Sequence, residues 1–95
     1  MSSDEQPEQF LRVRDRGLAW RLVEGEVVVL DLDRSEYLAV NHSGAALWTM
    51  LADGTTRSQL AGHLVERYGL DVAQAAADVH GFVVTLEDRH LLDAR

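Results

Sequence analysis

Residues Leu38 to Trp48 read L-A-V-N-H-S-G-A-A-L-W, a strand end that runs into a helix. The first three residues are apolar and suit the end of a strand. After Asn41 the apolar residues change to helical spacing, with Gly44, Leu47, Trp48 and Leu51 on one face. Asn is a strong N-cap because its side-chain oxygen accepts one of the unpaired amides of a first helical turn. The stretch therefore reads as strand, cap and helix, and Asp53-Gly54 supplies the helix stop.

Upstream, Leu18, Trp20 and Leu22 alternate with Ala19, Arg21 and Val23, Glu24-Gly25 forms a turn, and Glu26 to Leu32 is a β-branched run. A second turn at Asp33-Arg34-Ser35 leads into the short strand Glu36 to Val40, which completes a three-stranded antiparallel meander. Downstream, Thr56 with Gln59 three residues later has capping-box spacing and opens a helix striped by Leu60, Ala61, Leu64, Val65 and Tyr68, ending at Gly69. Asp71 with Gln74 repeats the arrangement. The helix it opens is expected to run through Val72, Ala75, Ala76, Val79, Phe82, Val83 and Leu86 towards Leu91 and Leu92. Such a chain predicts an α+β domain of winged helix-turn-helix type, a three-stranded antiparallel sheet followed by three helices that cover one sheet face.

Ninety-five residues, 46% hydrophobic and 26% charged, suit one globular domain with one modest core. Residues 1–10, polar and acidic, are expected to be a disordered tail, and residues 11–95 the single domain. Without cysteine there is neither disulfide nor thiolate chemistry. The start lacks the basic flank and apolar stretch of a secretory signal, so a cytoplasmic protein is expected. No membrane partner is expected either, because the apolar run Val27 to Leu30 is far shorter than the roughly 20 residues that span a bilayer.

A formal charge of −7 disfavours a phosphate-rich partner and favours a basic peptide. The last helix makes the point locally, with Asp71, Asp78, Glu87 and Asp88 against Arg89 alone, the wrong sign for reading a DNA groove. No nucleic acid is therefore expected. Enzyme signatures are equally thin. His42, His63, His80 and His90 lack a converging ligand set, Ser43 belongs to a helix start, and no G-x-S-x-G elbow or phosphate loop occurs. The carboxylate pairs Asp31 with Asp33 and Glu87 with Asp88 read as solvated acids near turns and helix ends. No catalytic residue, metal or cofactor is expected.

What the pattern offers is an edge. The strand at Glu36, Tyr37, Leu38 and Ala39 would show unpaired backbone groups, and proteins either blunt such an edge or use it to bind an added strand. Small residues early in the last helix (Ala73, Ala75, Ala76, Ala77) leave space beside that edge, although alanine is also simply the best helix former. Helical spacing suggests Ala76, Val79 and Val83 as the helix side of the groove, with Ala75 and Phe82 as substitutes.

Three strings, G-E-V-V-V-L-D-L (Gly25 to Leu32), N-H-S-G-A-A-L-W (Asn41 to Trp48) and D-V-H-G-F-V-V-T-L (Asp78 to Leu86), resemble the PqqD-like family of leader-peptide recognition domains. The resemblance spans about Leu18 to Leu92, and it departs from the usual pattern at Val40, where Leu is common, and at His90, where Gly often ends the helix. It implies a non-catalytic protein that holds the leader of a ribosomally made precursor peptide as an extra strand and delivers it to a modifying enzyme. As a short chain it looks most like the leader-binding proteins of lasso-peptide pathways, whose partner is a cysteine-protease-type leader peptidase and whose leaders commonly carry a Tyr-x-x-Pro element. A peptide chaperone for a radical maturation enzyme is the alternative within the family, and a dimerising regulatory winged helix is the alternative outside it.

Overall fold

The computed structural model describes residues 8–94, and the first seven residues of the expected tail lie outside them. Along the chain come β1 (Phe10–Val13), β2 (Leu18–Val23), β3 (Glu26–Asp31), β4 (Glu36–Val40), α1 (His42–Asp53), β5 (Thr55–Thr56), α2 (Arg57–Tyr68), α3 (Val72–Asp88) and β6 (Leu92–Ala94). The three helix starts follow from their caps. Asn41, Thr56 and Asp71 are each extended in backbone, and their side-chain oxygens accept the amides of Gly44, Gln59 and Gln74 respectively.

Strands β2, β3 and β4 form the expected antiparallel meander, in the order β2-β3-β4. Both residues of the β2–β3 loop have positive φ, 52° at Glu24 and 83° at Gly25, the backbone of a type I′ turn whose twist suits a tight hairpin. The register sets Val27 opposite Val40 and Val29 opposite Leu38. Successive strand residues point to opposite faces, so Val27, Val29 and Val40 share one face, and all three are buried. Against that face α1 buries Ala45, Leu47, Trp48 and Leu51, while Trp48 meets the Trp20 ring edge-on with centroids 6.0 Å apart.

A second sheet, β5-β1-β6, has no counterpart in the sequence reading. Leu11 pairs with both Thr55 and Ala94, and Val13 pairs with Leu92. This pairing inserts Leu11 and Val13 into the core. Within the expected tail, Phe10 is the first residue of β1, and the Glu8 carboxylate accepts the Ser58 amide at 2.9 Å and its hydroxyl at 3.0 Å at the start of α2. Those Ser58 bonds hold the Glu8 carboxyl below its ordinary pKa.

The last helix is shorter than its apolar stripe suggests. It ends at Asp88, where His90 takes φ 61° and the amides of His90 and Leu91 bond back to the carbonyls of Glu87 and Leu86, a Schellman closure. His90 thus occupies the left-handed position that Gly often fills. Leu91 is buried beyond the helix, and Leu92 belongs to β6.

Asp31 also differs from its reading as a solvated acid. It is 5% exposed, and Arg14 reaches it at 3.1 Å while bonding Asp33 at the same distance. The other Asp31 oxygen accepts the amides of Asp33 and Arg34, so one carboxylate ties the β3–β4 turn to the end of β1. Burial by itself would raise the Asp31 pKa, but the Arg34 amide, the Arg14 guanidinium and the Asp33 amide outweigh it and hold the carboxyl below its ordinary value. A depressed carboxyl pKa contributes stability that is present above the unfolded value of about 3.9 and is lost as pH falls through the lower folded value. Denaturation midpoints measured from neutral pH down to about pH 3 are therefore expected to fall less steeply in Asp31→Asn than in the wild type, although the variant starts less stable.

Candidate functional site

Strand β4 bonds to β3 on one side only, and no strand among the described residues covers its other edge. Alternation turns Leu38 and Val40 inward and leaves Tyr37, 69% exposed, and Ala39 outward. Alongside this edge α3 runs in the opposite direction. Its C-terminal end brings Arg89 near Glu36 and Tyr37, whereas Phe82 lies beside Gly44 and Val40.

Gly44 sets that separation. A β-carbon there would stand 2.5 Å from Val40 and 3.2 Å from Phe82, so the first turn of α1 lies against both only because residue 44 has no side chain. Between β4 and α3 the chain leaves an open, largely apolar groove of about 720 Å³. Leu38, Ala39 and Val40 line one wall, Gly81, Phe82 and Thr85 the other, and at Gly81 no atom outside its own stretch of helix lies within 4 Å of where a β-carbon would be.

The expected site residues divide. Leu38 and Ala39 line the groove with Phe82, and Glu36 and Tyr37 continue the same edge towards Arg89 and Leu91. Ala75, Val79 and Val83 do not line it, being at most 1% exposed in the core. Ala76 is exposed on the far side of α3, in a separate cleft shared with Ala61, Gly62 and Val65 of α2. The helix wall is instead Ala77, Asp78, Gly81, Phe82 and Thr85. An apolar stripe marks the face that meets the core, and the groove borders that face instead of coinciding with it. Gly81 was the available signal, because a glycine in mid-helix costs about 1 kcal/mol relative to alanine and nothing in the core asks for one.

Electrostatically the groove is simple. Among the described residues Asp78 is the only charged one that lines it, and Gln74 Nε2 donates to its Oδ1 at 2.8 Å. The Ser43 hydroxyl donates to Asn41 Oδ1, which also accepts the Gly44 amide, so Asn41 is engaged in capping α1 and Ser43 is tied to the cap. Among the described residues no group of three or more His, Cys, Asp or Glu could hold a metal ion. His63 is half-buried on α2, with its ring edge-on to Tyr68 at 6.5 Å. What the arrangement presents is a row of backbone donors and acceptors, an apolar wall and one carboxylate.

Residues 26–92 match the protein family described as coenzyme PQQ synthesis protein D (PqqD). Among solved structures, TbiB1 in complex with the TbiA(beta) leader peptide is similar at 21% identity and a TM-score of 0.80, over 86% of this chain and 94% of that one. A lasso peptide synthetase B1 complexed with the leader peptide is similar at 23% identity and a TM-score of 0.78, over 87% and 96% of the two chains. At these identities the likeness is one of fold, and it includes the sheet and three helices read from the sequence. No curated protein matches the chain.

Proposed function

The chain belongs to the PqqD family, and from that premise we propose that it is a non-catalytic recognition protein for the leader of a ribosomally made precursor peptide. The open β4 edge beside the apolar groove carries this reading, because strand addition takes affinity from the backbone and specificity from side-chain pockets. Both similar structures are complexes with leader peptides, which supports the same ligand class here. The leader adds antiparallel along Glu36 to Ala39, carries a Tyr-x-x-Pro element, and is delivered to a cysteine-protease-type leader peptidase of a lasso-peptide pathway. No helix among the described residues is long and apolar enough to cross a membrane, in keeping with work in the cytoplasm.

Titration with a panel of synthetic Tyr-x-x-Pro leader peptides tests the reading, and saturable binding by at least one is expected. Proline substitution then locates the contact. At whichever of Tyr37 or Leu38 points its N–H at the open edge, proline removes one intermolecular bond and is expected to weaken binding about three- to tenfold. At the inward neighbour it breaks a ladder bond to β3 and acts mainly on stability. Unchanged affinity in both folded variants would refute strand addition.

A further inference from the structure

We propose that Asp78 sets the register of the bound leader by pairing with a cationic nitrogen on the N-terminal side of its strand-forming stretch. The inference rests on the reading of the β4 groove as the site of an added antiparallel strand.

The groove is longer than β4. Because α3 runs opposite to β4, Arg89 lies by Glu36 and Phe82 by Val40, and Asp78, about one turn before Phe82, projects past the strand's last residue. There the walls change from β4 and mid-α3 to Leu47, Leu64, Tyr68, Leu70 and Ala77. An antiparallel guest places its earlier residues over the C-terminal end of β4, so whatever precedes its paired stretch continues into this extension. It no longer has a strand to bond to, and side chains must hold it.

In that extension Asp78 is the one charge, on a wall that contains no Lys, Arg or His among the described residues. Gln74 orients the carboxylate through Oδ1 and leaves acceptor capacity on the second oxygen. A peptide laid over the extension strips water from that oxygen, and a carboxylate left without a partner opposes binding. A guest that brings a cation there instead gains a charge-assisted hydrogen bond. Two sources supply the same chemistry, a Lys or Arg side chain and the free N-terminal ammonium of a short leader.

The test uses synthetic Tyr-x-x-Pro peptides that carry lysine, glutamine or glutamate at each successive position before the paired stretch, every one made with free and with acetylated N-terminus. Wild type is expected to prefer lysine over glutamate about tenfold at one position. Asp78→Asn is expected to abolish that preference and Asp78→Lys to invert it, with melting temperatures of both variants near wild type because the residue is exposed. Loss of affinity on acetylation alone, absent in Asp78→Asn, would identify the terminal ammonium as the partner. A lysine-to-glutamate ratio identical in wild type and Asp78→Lys, with no Asp78-dependent effect of acetylation, overturns the assignment while leaving strand addition intact. Failure of every peptide to bind the wild type would instead overturn the leader reading, and the role of Asp78 with it.

Discussion

Gly81→Leu is expected to weaken leader binding by about 10- to 100-fold while the domain becomes slightly more stable, a divergence that few substitutions could produce. The new side chain projects from the α3 wall of the groove, where no atom outside its own stretch of helix lies within 4 Å of the β-carbon position. A guest strand would have to overlap it, and forcing extra methylenes into a filled contact costs about 1–3 kcal/mol. For the free domain the exchange removes a glycine from a helix interior, a gain of about 0.5–1 kcal/mol. Gly62 provides the control. It too is a helical glycine with open space around it, but it lies in the cleft between α2 and α3, so Gly62→Leu is expected to raise stability similarly and leave binding unchanged. Isothermal titration and thermal melts of the two variants read both effects.

The largest stability loss is expected from Trp48→Ala, about 3–5 kcal/mol, which approaches the whole stability of a domain this size. Trp48 is fully buried where α1 meets the sheet, and it is the residue against which the half-exposed Trp20 packs. Its Nε1 has no hydrogen-bond partner among the described residues. Trp48→Phe retains most of the ring and removes that unsatisfied donor, so it is expected to cost markedly less. Urea denaturation of both variants separates the two terms. Equal losses would mean that the indole contributes more than volume and edge contact.

The parts of this fold that were legible in the sequence are those that local chemistry determines. Asn41, Thr56 and Asp71 announce their helices because a cap acts within three residues, and Glu24-Gly25 announces its hairpin because a two-residue turn admits few backbones. The second sheet was not legible, since Leu11 finds its partners at Thr55 and Ala94, and strands of two to four residues are too short to show alternation. The Asp31 clasp escaped for a related reason, because Arg14 lies far away in sequence and only tertiary packing buries the pair. At the candidate site the strand side was readable from the exposed edge at Glu36 to Ala39. On the helix side Phe82 alone of the expected residues lines the groove, because Ala75, Val79 and Val83 mark the stripe that enters the core, and the rest of the bordering wall carries Gly81, Asp78 and Thr85, residues that hydropathy passes over.

Backbone hydrogen exchange of β4, followed by NMR with and without a saturating synthetic leader, reads out whether the leader adds to this strand. Strand addition predicts new protection at the amide, Tyr37 or Leu38, that faces the open edge, with the edge of β2 unchanged. Saturable binding that leaves the β4 amides as exposed as before, or that protects β2 or the α2–α3 cleft in their place, would contradict it.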